Sequence, residues 1–296
     1  MQEGLATFGS EAKRIMDLFC EVLPKERSES HLYHYTDEAG LKGILRSGKL
    51  WLTEISRLND PSELNHGFEV GIGVLKAAVM NGSPYCKKFA DLIEAFYKQM
   101  GIRDSAQFFV GSFSWHREDL CQWRAYGDDG RGYALEFDVA AIDSVVERQP
   151  PTEAFPLTYA DSRLQTLDGE IVEAFRRLVD IDLIMQSKPE KEDLADVCTG
   201  LLVQLLRAAV FFKHEAYENE REYRLLQTYM ARTQNPEIRH IELDWKSTVP
   251  RALKAVIVGP GEDQENRRQC AQNYLRSLHS ESVTAVCSAI PYRAKG

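Results

Sequence analysis

Three clusters far apart in the chain carry side chains suited to chemistry on a sugar: His34-Tyr35-Thr36, Ser112-Phe113-Ser114 and Glu220-Arg221-Glu222. Side chains alternate along a strand, so His34 and Thr36 share one face while Tyr33 and Tyr35 share the other. Such a polar-aromatic strand beside a helix start suits a flat, charged ligand such as a dinucleotide. Ser112 and Ser114 likewise share a face. If Glu220 and Glu222 both stand in a strand, they lie on one face about 7 Å apart. Like charges so placed repel unless they are solvated or have work to do. One carboxylate can hydrogen-bond sugar hydroxyls while the other stabilises positive charge developing at a sugar carbon.

Each cluster needs an element to hold it. Leu32–Thr36 reads as a short strand running into a helix capped by Thr36 or Asp37, carrying Leu41, Ile44 and Leu45 and closed by Gly48. Leu50–Thr53 is the next strand. Asn59-Asp60-Pro61 opens an amphipathic helix through Met80, and a further helix covers Tyr85–Met100. Gln107–Trp115 reads as a strand, Asp119–Tyr126 as a short helix, Gly127–Gly132 as a turn and Tyr133–Asp138 as a strand. A loop over Glu147–Pro151 leads to a strand over Phe155–Tyr159. Late strands cover Glu222–Tyr229, Ile238–Leu243 and Ala255–Val258. Val258-Gly259-Pro260-Gly261 breaks into a helix reaching about Leu278, with Glu262 and Asp263 as its N-cap and first-turn acids, and Val283–Cys287 is the final strand.

Strands dominate around blocks of helix, so the fold class is α+β. The expected organisation is an N-terminal helix within residues 1–29 (apolar positions at helical spacing over Glu11–Leu23, then Pro24) followed by one domain over 30–296. Within that domain residues 168–213 form a helical block split near Lys188-Pro189. The 296 residues contain 44% hydrophobic and 27% charged types, an ordinary globular balance. A net charge of -9 argues against non-specific nucleic-acid binding, which needs Lys and Arg on phosphates. The six cysteines are scattered without metal or disulfide spacing, and most are expected to be buried thiols in a reducing compartment. No apolar run approaches the ~20 residues of a membrane span, so a cytoplasmic location without a bound metal is expected.

The ordered triple of His-Tyr-Thr, Ser-x-Ser and Glu-x-Glu resembles the mono-ADP-ribosyltransferase superfamily. The chain over residues 30–290 also looks like a bacterial family of unknown function, through His34-Tyr35-Thr36, Leu58-Asn59-Asp60-Pro61, Cys121 to Phe137, and Glu220 to Arg224. The first resemblance implies a split, mostly antiparallel β core with flanking helices, and NAD as substrate. It implies that His34, with Tyr35 and Thr36 beside it, binds a ribose hydroxyl or the adenosine side of NAD, while Ser112 and Ser114 support the pocket and orient Glu222. Glu222 would hold the nicotinamide-ribose 2′-hydroxyl and stabilise the oxocarbenium-like state. Glu220 would activate or orient the acceptor, and Trp123 and Tyr126 could stack on a flat ring. Phe113 stands where the superfamily carries Thr.

The implied activity is NAD-dependent mono-ADP-ribosyl transfer, or NAD hydrolysis, with an acceptor that is protein, nucleic acid or small molecule and a toxic, defensive or metabolic role left open. One alternative is a non-catalytic interaction module on the same fold. Another is an NAD-using enzyme acting on a 2′-phosphorylated RNA end, with Arg124, Arg221 or Arg224 for the phosphate. The plain account of Glu220 and Glu222 is a solvated face paired with Arg221 or Arg224.

Overall fold

A computed structural model describes residues 29–58, 65–69, 106–157, 209–230, 237–280 and 282–292, with the single positions 91, 94, 95, 98, 159 and 206. The expected helices over Glu11–Leu23, most of those after Pro61 and over Tyr85–Met100, and most of the block 168–213 lie outside these residues.

The chain folds as one mixed α+β domain around a largely antiparallel sheet. Strand β1 (His31–Thr36) leads through helix α1 (Glu38–Ser47) to β2 (Lys49–Glu54) and a single 3₁₀ turn, Ile55–Arg57. Asp37 caps α1 by accepting from the Gly40 amide at 2.7 Å, and Gly48 ends it at φ 69°, in the left-handed region open to glycine. β3 (Ala106–Ser114) is followed by α2 (Leu120–Ala125), β4 (Tyr133–Asp138), α3 (Val139–Arg148) and β5 (Thr152–Pro156). A 3₁₀ segment, Glu215–Glu220, precedes β6 (Glu222–Met230), then β7 (His240–Asp244), β8 (Leu253–Val258), α4 (Gln264–Ser277) and β9 (Thr284–Cys287).

The main sheet runs β5-β6-β3-β1-β4-β8-β9, and among the described strands only β8–β9 pair in parallel. Its principal core gathers Leu32, Leu52, Phe109, Phe113, Leu135, Phe137, Leu225 and Val256 on one side, with α1, α3 and α4 packed against it. Fully burying one such side chain is worth about 1.5–3 kcal/mol. A smaller cluster of Tyr33, Tyr35, Trp123, Ala134 and Ile257 sits on the other face.

Several expectations are corrected. α3 was not foreseen: its β-branched run reads poorly as helix, but Asp138 caps it through the Ala141 amide and Val139, Ile142 and Val145 bury one face. The predicted strand Phe155–Tyr159 lies earlier, at Thr152–Pro156, where it pairs with β6. Asp263 stands at the N-cap of α4 in a left-handed conformation, φ 52°, and its side chain makes no capping bond. Among the described cysteines, Cys121 and Cys270 are exposed and Cys287 half-buried, rather than buried. No described helix is long and apolar enough to cross a membrane.

Candidate functional site

β3 is paired along its whole length with β6 on one edge, from Ala106↔Met230 to Ser114↔Glu222. Its other edge is therefore shared. β1 meets it only at Tyr33↔Ser114, and β2 only at Thr53↔Val110 and Glu54↔Phe109. Between those contacts β1 leaves to pair with β4, and β2 leaves to pair with β7. The sheet thus forks over Gly111–Phe113, and a cavity of about 360 Å³ opens in the fork. That volume lies in the range of small-molecule sites.

Seven of the nine residues expected in the site line this cavity: His34 and Tyr35 from β1, Ser112 and Ser114 from β3, Tyr126 after α2, and Glu220 and Glu222. His34 bridges the fork. Its Nδ1 is 2.9 Å from the Ser112 carbonyl, an acceptor only, so Nδ1 carries the proton and Nε2 is left as an acceptor. Burial holds the imidazole below its ordinary 6.5, which keeps the ring neutral at neutral pH. Tyr35 turns its hydroxyl to the His116 and Arg117 carbonyls, at 2.6 and 3.0 Å, and so anchors the segment after β3.

Glu222 is 6% exposed and heavily bonded. Arg224 Nε donates to Oε1 at 2.6 Å and its Nη2 to Oε2 at 3.0 Å, while Lys213 Nζ reaches Oε2 at 3.1 Å. The Ser112 hydroxyl faces the same carboxylate and helps to hold it ionised. Burial alone pushes this carboxyl up, but the Arg224 and Lys213 charges, with hydrogen bonds from Arg224 and Ser112, outweigh it and hold it at about 2. Three hydrogen bonds from two cations, with the Ser112 hydroxyl beside them, occupy most of the roughly four acceptor positions of the carboxylate. Lys213 also bonds Glu220 Oε2 at 2.6 Å, and the Tyr126 hydroxyl donates to Glu220 Oε1 at 3.2 Å.

Glu220 and Glu222 do not meet by strand alternation. Glu220 ends the 3₁₀ segment and Arg221 is left-handed at φ 40°, so the strand begins only at Glu222. Buried Lys213 draws the two carboxylates together, and Ser114 Oγ fixes the turn by donating to the Glu220 carbonyl at 2.8 Å. The expected solvated face is therefore a buried ion network, in which Arg224 is 1% exposed and also donates to the Val210 carbonyl. Ser114 thus positions the backbone before Glu222, whereas Ser112 touches its carboxylate.

Thr36 and Trp123 do not line the cavity. Thr36 Oγ1 fills the space that a Cβ on Gly40 would need, placing it against α1. Trp123 is fully buried with its ring edge-on to Tyr35, so it supports the tyrosine and cannot stack on a ligand. Lys213, Arg57 and Trp51, absent from the expected set, line the cavity instead. Lys213 had a faint signal, since it begins the charged stretch that ends in the two glutamates. Trp51 had none, because Leu50-Trp51-Leu52 reads as continuous core. No group of three or more metal-binding side chains occurs among the described residues.

Residues 122–225 match the family described as Protein of unknown function (DUF2971), a segment that carries Tyr126, Lys213, Glu220 and Glu222 but neither His34 nor Ser112. No curated protein and no solved structure matches the chain.

Proposed function

We propose that the forked cavity cleaves the nicotinamide–ribose bond of NAD and passes ADP-ribose to an acceptor or to water. The observation that carries this is the convergence of His34, Ser112 and Glu222, from three different strands, on one polar-aromatic cavity. The C1′–N bond breaks with its electron pair leaving on neutral nicotinamide. The oxocarbenium-like C1′ is then captured by an acceptor heteroatom or water, which loses a proton. Ionised Glu222 supplies the negative charge that this state requires. To accept from the ribose 2′-hydroxyl it needs an open acceptor position, and the neutral, rotatable Ser112 hydroxyl yields one more readily than the charged Arg224 and Lys213 donors. His34 Nε2 accepts from another ribose hydroxyl. Glu220, whose carboxylate meets Lys213 and Tyr126, orients the acceptor.

The test is nicotinamide release from NAD by the intact protein, compared with Glu222→Gln and His34→Ala. Loss of turnover in both variants supports the assignment, and unchanged turnover in both overturns it.

The saturation of Glu222 favours a second reading, in which the network is a strut and the domain binds a partner without catalysis. Calorimetry with NAD separates the two, because a non-catalytic strut gives no heat of NAD binding. The RNA-end reading has less support: Arg224 is committed to Glu222 and Val210, and Arg124 lies 3.9 Å from Asp129 at the surface.

A further inference from the structure

Of the four tryptophans, Trp115, Trp123 and Trp245 are buried, whereas Trp51 is 60% exposed and lines the cavity. Its position is not that of a loose surface side chain. In the β2–β7 ladder Trp51 stands opposite Glu242 and diagonal to His240, so the three share a face. Its ring stacks on the His240 imidazole with centroids 3.9 Å apart and planes 20° apart. Glu242, opposite the indole in the ladder, is itself held by Lys49 Nζ, which donates to it at 2.5 Å. One face of the indole is thus backed by the His240 ring, leaving an aromatic plate on the cavity side of β2. Thr53, two residues on, lines the same cavity.

A few residues further, Arg57 also lines the cavity, and among the described residues its guanidinium has no acidic partner. An aromatic plate and a guanidinium that line one cavity match two chemical groups in sequence: a heteroaromatic base, held by stacking, and a phosphate, held by charge and forked hydrogen bonds. Glu222, which would act on the sugar, is buried, whereas the plate at Trp51 is exposed. A dinucleotide reacting at Glu222 must therefore send its distant half outward.

We infer that Trp51 and Arg57 form a nucleoside-diphosphate subsite, in which the adenine of ADP stacks on Trp51 and its phosphates meet Arg57. The subsite rests on the NAD reading for its link to catalysis, but binding of ADP can be measured without it.

The emission of Trp51 provides the readout, because the three buried tryptophans are shielded from acrylamide and Trp51 is not. ADP added to the intact protein should quench Trp51 emission and protect it from acrylamide, and AMP should do so more weakly. Nicotinamide mononucleotide, which lacks the adenine, should leave it unchanged. Trp51→Phe should keep ADP affinity within a few-fold, while Trp51→Ala and Arg57→Ala should each weaken it about tenfold or more. Absence of any ADP effect on emission, or equal ADP affinity in Trp51→Ala, overturns the subsite. Nicotinamide release that persists in Trp51→Ala with unchanged KM does so as well, while leaving the NAD reading standing. ADP stacking without any nicotinamide release removes the catalytic reading and keeps the subsite.

Discussion

The His34 imidazole and the Ser112 carbonyl make the hydrogen bond that backbone groups of β1 and β3 no longer make. One residue past their last pair, Tyr33↔Ser114, the strands part, and His34 Nδ1 spans the opening at 2.9 Å. A side chain replaces a ladder bond in the cavity wall, so in the NAD reading one residue serves both stability and ligand binding.

The two roles separate by substitution. His34→Asn places an amide donor near the position of Nδ1 and should retain most of the stability, losing NAD binding because no equivalent of Nε2 remains. His34→Ala loses both, with a stability loss of about 1 kcal/mol for the missing hydrogen bond. Urea midpoints and NAD titration read the two effects. Equal behaviour of both variants in both measurements would falsify the bridging role.

Glu222→Gln removes the charge that balances Arg224 and Lys213, at 1% and 5% exposure. An uncompensated buried charge costs about 3–5 kcal/mol. Lys213→Met made in the Glu222→Gln background should recover part of that loss. The coupling energy from the four urea denaturation curves should reach at least about 1 kcal/mol, and simple additivity would show that the pair does not interact.

Acid should unfold this protein through the same residues. The Glu222 carboxyl lies at about 2 when folded against an ordinary 4.5, so it contributes about 3 kcal/mol above pH 4.5, lost as pH falls toward 2. His34, held below 6.5, favours the folded state above pH 6.5 and loses that contribution as pH drops through 6.5 toward its folded value. Both signs run the same way. Urea midpoints taken from pH 7 to pH 3 should fall for the natural chain and fall less steeply below pH 4.5 for Glu222→Gln. Parallel curves for the two proteins count against the low carboxyl value.

Ser112→Ala tests whether the serine is displaced during turnover. It should lower stability by about 1 kcal/mol through the lost bond to Glu222. Nicotinamide release should stay within about tenfold of the natural chain, since that donor must leave in any case. A collapse of turnover as deep as that of Glu222→Gln would show that Ser112 contacts the reacting groups.

Local rules were legible wherever local chemistry decides the structure. Asp37 and Gly48 bracket α1 because capping and left-handed turns depend on a few adjacent residues. Tyr133–Asp138 reads as a strand because a glycine-rich turn precedes a clear β-former run. The site was legible as an ordered set of strands but not as an ion network. Nothing in Glu220-Arg221-Glu222 announces that a non-glycine residue adopts φ 40°, or that a lysine ahead of the 3₁₀ segment reaches both carboxylates. Trp51 stayed hidden for the opposite reason: its neighbours Leu50 and Leu52 are core, and alternation alone cannot tell which face of an apolar strand has no cover.

The strand order also sets when the site can exist during synthesis. β1, β2 and β3 bring His34, Trp51 and Ser112 out of the ribosome early, but β3 has no partner along its full edge until β6 emerges. Lys213, Glu220, Glu222 and Arg224 arrive together, within a dozen residues of one another. A nascent chain stopped before Lys213 has one wall of the cavity, with Arg57 on it, and none of the ion network of Lys213, Glu220, Glu222 and Arg224. Any activity that belongs to this fork therefore switches on late, in a single step, and a truncated product of translation cannot carry it.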